Sequence, residues 1–432
     1  MFKYLHQIWS TKSLRNKILF SIFIIIIYRL VSHITVPGVS SDVLKNVFDQ
    51  NSVLGVFAAF TGGNIKNFSI VLMGLSPYIN ASIIMQLMTV VIPRLENLSK
   101  EGEQGRRTIN RYTRYLALPL ALLQSYGMIL LLNNSARSVA GVDLISNIGS
   151  LTVILPLMLT VTAGTLFLMW LGELITERGI GNGISLIIFA GIVSSIPGVI
   201  GQTLGLAVYD PSKYLSFLVL TVITLLLIVL VILVTEGQRN IPITYAGQQT
   251  GRMSEKSMIP IRINQAGMIP IIFAISLVTF PTIIAQFFRG NPVAEFVIEN
   301  MGGGKSNTLY IVLLFLLVIA FTYFYVSITF NPTQVAENIQ KRGGFIPGIR
   351  PGSQTAEFLG QVSLRLNLWG GLFIAFLATF PLALQKVLTE SGIGSVQLLM
   401  SGSGLIIVVG VVIELTRQIN TQMVMHDYEK LY

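Results

Sequence analysis

Cysteine is absent from the 432 residues of the chain, which excludes a disulfide framework, thiol catalysis and any cysteine-ligated metal. Charge is scarce as well. Asp, Glu, Lys and Arg make up 11% of the residues, against roughly 25% in soluble globular domains. So few charges cannot cover a water-facing surface of this size. There is no His-Glu-x-x-His pair for a metalloprotease, and Gly402-Ser403-Gly404 lacks the spacing of a nucleophile elbow. Two glycine-rich stretches approach nucleotide-binding patterns and fail. Gly302-Gly303-Gly304-Lys305-Ser306 looks like the end of a phosphate-binding loop, but Glu299 stands where that loop requires glycine. Gly179-Ile180-Gly181-Asn182-Gly183 has no preceding strand and misplaces its third glycine, so it reads as a tight turn between helices. No enzyme chemistry, metal or cofactor is expected.

What the chain has in abundance is apolar length. Hydrophobic residues make up 52% of it, and the mean hydropathy is +0.71. A helix needs about 20 mostly apolar residues to cross a hydrocarbon core of ~30 Å. Spans are expected at 18–36, 69–92, 115–134, 151–175, 183–202, 214–235, 267–288, 308–329, 367–385 and 397–416. The formal charge of +10 fits the positive-inside rule. With the N-terminus inside, basic residues fall on the cytoplasmic side by about three to one. They cluster at Lys12–Lys17, Arg94–Arg114, Arg239–Arg262 and Lys341–Arg365. That bias supports an even count of ten and places both termini in the cytoplasm. The first apolar run leads into Val36-Pro37-Gly38 rather than a cleavage site, so it is expected to remain as a span.

One apolar segment is too short to cross. Val53–Phe60, with Val53, Leu54, Val56, Phe57 and Phe60, has a helical length of about 12 Å and ends at Thr61-Gly62-Gly63. Such a segment is either re-entrant and shielded by protein or an amphipathic helix on the outer surface. Pro77, Pro119, Pro156, Pro270 and Pro281 fall inside expected spans, where proline can kink a helix. Transporters and pumps tend to bury ionisable groups at mid-membrane; these spans hold almost none. Glu173 and Glu414 lie near cytoplasmic ends. Two cytoplasmic loops, 236–266 and 330–366, are basic, rich in Gly and Pro, and expected to be irregular.

The ordered motifs resemble the SecY family along essentially the whole chain. They begin with Ser76-Pro77-Tyr78-Ile79-Asn80-Ala81-Ser82 through Gln86-Leu87. Val91-Ile92-Pro93-Arg94-Leu95-Glu96 and Lys100-Glu101-Gly102-Glu103 follow. Trp170-Leu171-Gly172-Glu173 leads into Thr176-Glu177-Arg178-Gly179-Ile180-Gly181-Asn182-Gly183. Asn264-Gln265-Ala266-Gly267-Met268-Ile269-Pro270 opens the seventh span, and Phe330-Asn331-Pro332 leads to Gly343-Gly344-Phe345-Ile346-Pro347-Gly348-Ile349-Arg350-Pro351-Gly352.

The resemblance implies an all-α polytopic membrane protein in the bacterial cytoplasmic membrane. Its ten transmembrane helices would form two pseudo-symmetric five-helix halves, 1–205 and 206–432, with a short re-entrant plug helix at 53–67. The implied function is a protein-conducting channel that passes unfolded secretory polypeptides and releases membrane segments sideways into lipid. The alternative is a secondary transporter of small solutes. Carried over motif by motif, the pore ring falls on Leu75, Ile79, Ile184, Ile188, Ile272 and Ile407. The lateral gate falls on Asn80, Gln124 and Phe280, and the partner-docking loops on Arg239, Arg252, Lys256 and Arg350. The implied partners are SecE and SecG, the SecA motor ATPase, the ribosome, secretory preproteins, nascent membrane proteins and membrane lipid. With no nucleotide site of its own, the chain would draw energy from these partners.

Overall fold

The computed structural model describes residues 9, 11–37, 39, 68–145, 148–209, 212–245, 257–288, 290–301, 308–390 and 402–429. The segment Val53–Phe60, the loop-tip residues Arg252 and Lys256, and the glycine run 302–304 lie outside them.

Ten helices correspond to the ten expected spans: α1 (Lys12–Ser32), α2 (Ser76–Val91), α4 (Glu103–Ala140), α5 (Leu151–Arg178), α6 (Gly183–Tyr209), α7 (Ser212–Glu236), α8 (Ile269–Ala285), α10 (Thr308–Thr329), α12 (Ser353–Glu390) and α13 (Gly402–Glu429). Among the described residues, eight are long and apolar enough to cross a membrane by themselves. A ninth, α2, qualifies together with α3 (Pro93–Lys100), from which it is bent by 101°. The tenth, α1, has lysine and arginine in its first two turns and apolar residues beyond them. It separates two faces at helical spacing. Leu19, Ile22, Phe23, Ile26 and Leu30 point outward, and Ser21, Ile24, Tyr28 and Ser32 point into the protein. An outward apolar stripe on a spanning helix is the face it offers to lipid.

Several helices depart from their expected bounds for local reasons. The second span is helical from Ser76, not from residue 69. Pro77 is accepted in the first helical turn, where no amide donor is required, and Gly74 just before it takes φ +56°. Residues 68–75 instead form successive turns closed by bonds such as Leu72 N to Ser69 O (2.9 Å) and Gly74 N to Val71 O (2.9 Å). Val71 and Leu72 in this stretch are fully buried, so non-helical backbone at this depth is shielded by protein. Pro270 likewise opens α8 rather than kinking it, whereas Pro119, Pro156 and Pro281 do sit within helices. At 38 residues each, α4 and α12 reach about 57 Å. Their polar N-terminal turns therefore extend beyond a ~30 Å core.

The two loops expected to be irregular, 236–266 and 330–366, build a small sheet. β1 (Gln238–Tyr245) and β2 (Ser257–Arg262) form an antiparallel hairpin, with Gln238 opposite Arg262 and Ile243 opposite Ser257. β3 (Gly344–Phe345), from the other loop, adds to β1 in the order β2-β1-β3. Ile241 and Ile243 alternate inward from β1 and join Ile261, Ile339, Ile346, Leu359 and Val362 in one core. α11 (Pro332–Lys341), capped by Asn331, whose side chain accepts from Gln334 N, lies against α12 and β3. Sequence hydropathy missed this unit because its core is assembled from two stretches about a hundred residues apart. The Gly179–Gly183 segment is the tight turn expected of it. Gly183 N donates to Thr176 Oγ1 at 2.9 Å, and a Cβ on Gly183 would lie 1.9 Å from the Gly172 carbonyl oxygen.

Candidate functional site at the centre of the helices

The six residues assigned to the ring come together in three dimensions. Leu75 and Ile407 are buried members of one apolar cluster, and Ile79, Ile184, Ile188 and Ile272 pack against it as partly buried neighbours. Five of them (Leu75, Ile79, Ile188, Ile272 and Ile407) line a single small cavity of about 70 Å³. Ile184 lies outside its lining, one turn before Ile188 on α6. The five reach the cavity from the turn before α2, from α2 itself, and from α6, α8 and α13. Ile79, like Leu75, faces it because the turn at Met73–Ser76 hands directly into the first turn of α2. Met73, Ser76, Met128, Ile275, Ser276, Thr279 and Ile283 complete the wall. Sequence reasoning did not assign these seven to it. They look like ordinary helix-packing residues, and only the approach of α4 to α8 makes them neighbours. The wall is aliphatic apart from the methionines and three hydroxyls, and none of its side chains is ionisable. A wall this largely aliphatic disfavours water, and an apolar constriction can gate by dewetting.

One flank of this site is a seam between helices. α8 packs against α2, where Ile79, Ile83 and Leu87 meet the cluster that holds Ile271, Ala274, Ile275 and Val278. Farther out, α8 packs against α4. There Gly127 lets the two backbones approach, since a Cβ on it would lie 2.5 Å from Ile283 Cγ2 and 3.1 Å from Ile283 O. Tyr126 and Phe287 stack across the same contact with ring centroids 5.0 Å apart. Small residues allow this kind of close approach between membrane helices. Gly127 carried that signal in the sequence, inside an otherwise bulky run, without being singled out.

Of the residues assigned to the gate, Asn80 is buried on α2 and Phe280 is half-buried on α8. Gln124 on α4 is fully buried, and among the described residues both its amide atoms lack a hydrogen-bond partner. Thr282 Oγ1 on α8 and Gln286 Oε1 in the turn just after it are likewise without a partner among the described residues. A buried polar group without a partner costs about 1–3 kcal/mol, so the closed seam carries a standing penalty along its length.

Away from the cavity, Arg114 on α4 and Glu173 on α5 form an ion pair of 2.6 Å. Arg417 on α13 pairs with Glu236 at the end of α7, at 2.8 Å. Arg262, at the base of the hairpin, is held below the ordinary guanidinium value, first by burial and then by the neighbouring Arg417 charge, with Glu236 opposing both. Arg239 on β1 and Arg350 in the turn before α12 are exposed. Thr355 Oγ1 donates to the Arg350 carbonyl at 2.9 Å, pinning the backbone of that turn. Among the described residues Arg350 makes no salt bridge.

These features define a polytopic helical membrane protein with a small, mostly apolar cavity among its helices and a seam between α8 and its neighbours α2 and α4. The SecY family model matches residues 69–416. A protein translocase subunit SecY from Corynebacterium glutamicum is 40% identical, with 98% of each chain covered. The solved structure of a protein conducting channel superposes with a TM-score of 0.67 at 17% identity, covering 94% of this chain and 92% of the other. Sec61 in the canine ribosome–channel complex superposes with a TM-score of 0.63 at 16% identity, covering 94% and 92%. The chain belongs to the SecY family.

Proposed function

We propose that this chain is the channel-forming subunit of a bacterial protein translocon. It passes unfolded secretory polypeptides across the cytoplasmic membrane and releases signal sequences and membrane segments sideways through the α2/α4–α8 seam. The observation that carries this reading is the convergence of Leu75, Ile79, Ile188, Ile272 and Ile407, from four helices and one turn, on a single apolar cavity. An aliphatic ring can yield around many side chains and hold none of them tightly, which suits a varied polymer and not one fixed solute. A solute transporter would call for an ionisable group at the midplane, and the cavity wall offers none.

In this reading both termini are cytoplasmic, the two halves join after α6, and Val53, Leu54, Val56, Phe57 and Phe60 plug the outer funnel. Asn80, Gln124 and Phe280 line the gate, where modest hydrogen bonds can be exchanged for contacts with an entering segment. SecE and SecG are the companion subunits. The sheet formed by the two loops, with Arg239, Arg252, Lys256 and Arg350, receives the SecA motor or the ribosome; the fold-level match to a channel solved with a ribosome supports the latter.

The test is site-specific crosslinking from a stalled secretory chain to a photoprobe at Ile79, Ile188, Ile272 or Ile407. Crosslinks at all four place the polypeptide in the cavity. Crosslinks confined to lipid-facing controls such as Phe23 or Leu225 would overturn the reading. Arg350→Glu provides a second check. Because the side chain is exposed and unpaired, this variant is expected to insert and fold like the parent while motor-driven export falls at least several-fold. Export at the parental rate would reduce Arg350 to a charge that sets topology.

A further inference from the structure

The segment that follows the seventh span has a depth fixed by arithmetic. The apolar stretch Ile269–Phe288 is 20 residues long, about 30 Å at ~1.5 Å per residue, which is the thickness of the hydrocarbon core. Phe288 therefore stands at the outer boundary of that core. The chain turns back at once. Gly290 adopts φ +94°, a conformation that favours glycine, and Asn291 caps the next helix by accepting from Val293 N at 3.0 Å. That helix, α9 (Pro292–Met301), packs against the end of α8 and the start of α10. It is thus held at the level of the lipid headgroups and does not project into water.

Three faces of α9 differ in character. Ala294 is buried against the protein, with Ile298 and Met301 half-buried beside it. Glu295 and Glu299, one turn apart, share a second face. Val293 and Phe296, at i and i+3, form a third that is open, with 70% and 58% of their surface exposed. The flanking spans present exposed apolar residues of their own, Leu277 on α8 with Phe288 just beyond its end, and Leu309, Val312 and Leu316 along α10.

From this open edge and this depth we infer that α9 is an interfacial helix. Its Val293–Phe296 edge, together with Phe288, is inserted among the acyl chains of outer-leaflet phospholipid, and its acidic face is turned to water. Amphipathic helices bind the interface in this manner. The consequence is mechanical. α9 ties the outer end of α8, the moving side of the seam, to the lipid surface.

Because the chain has no cysteine, single nitroxide labels can be placed at Val293→Cys, Phe296→Cys and Glu295→Cys. The full chain with its companion subunits would be reconstituted in nanodiscs of phosphatidylethanolamine and phosphatidylglycerol. Collision rates with oxygen and with a water-soluble nickel chelate report depth. The expected result is nickel accessibility several-fold lower, and oxygen accessibility higher, at positions 293 and 296 than at 295. Equal nickel accessibility at all three would put the helix in water. Labels at 293 and 296 shielded from both reagents would mean that protein covers the edge. Either outcome overturns the inference.

Discussion

Replacing Ile407 by Asn is expected to unseal the resting channel, so that proteoliposomes leak ions and cells export precursors with defective signal sequences. Ile407 is fully buried and touches the cavity together with four of the other ring residues. The cavity, at about 70 Å³, is large enough for water, but water enters such a site only where polar partners hold it. An asparagine amide supplies them. Left dry, that amide would cost about 1–3 kcal/mol, so the closed, dewetted state loses ground to wetted or open states by about one to two orders of magnitude. Ile407→Val keeps the site apolar and should remain sealed. Ile79→Asn should act in the same direction. Tight vesicles and unchanged export of signal-defective precursors in both Asn variants would remove these residues from the seal.

Gly127→Val should wedge the seam open from its outer half. The added Cβ would fall 2.5 Å from Ile283 Cγ2 and 3.2 Å from Phe287 Cε2. Ile283 is β-branched and held in one rotamer by its own helix, so it cannot swing aside. Overpacking of this kind costs about 1–3 kcal/mol, and the strain is relieved most cheaply by parting α4 from α8, because the seam already carries unpaired polar groups at Gln124, Thr282 and Gln286. The absence of native cysteine allows a direct reading. A Tyr126→Cys/Phe287→Cys pair replaces rings whose centroids are 5.0 Å apart, and Gly127→Val should slow its crosslinking by a short bismaleimide at least several-fold. Adding Ile283→Ala should restore the rate, which separates a wedge from general misfolding. A parental rate in the Gly127→Val background would mean that the seam closes through other contacts.

These two expectations draw unequally on the sequence. The assigned ring positions were carried over from the family resemblance, and i, i+4 spacing is consistent with Leu75 and Ile79, and Ile184 and Ile188, sharing a face. The Gly127–Ile283 contact was not legible. Nothing within ten residues of either position says that α4 and α8 meet, or that they meet closely. The same holds for Met73, Met128 and Thr279 in the cavity wall. The cytoplasmic sheet escaped for a related reason. Its strands are short, two of them carry a proline, and the third joins from a loop two spans away.

The sequence by itself settled the number and placement of the spans, since crossing a hydrocarbon layer imposes a length and an apolarity that are local properties of the chain. The eighth span, expected at 308–329, is the helix Thr308–Thr329. Helix starts were set locally as well, once proline is read as a first-turn residue at Pro77 and Pro270 and not as a kink. The tertiary structure decided which faces of those helices look inward, where α8 touches α2 and α4, and how two loops build one sheet. Within lipid, apolar faces gain little from one another that they would not gain from acyl chains. The choice of neighbour therefore rests on close packing at small residues such as Gly127 and Gly183, which only the assembled helices reveal.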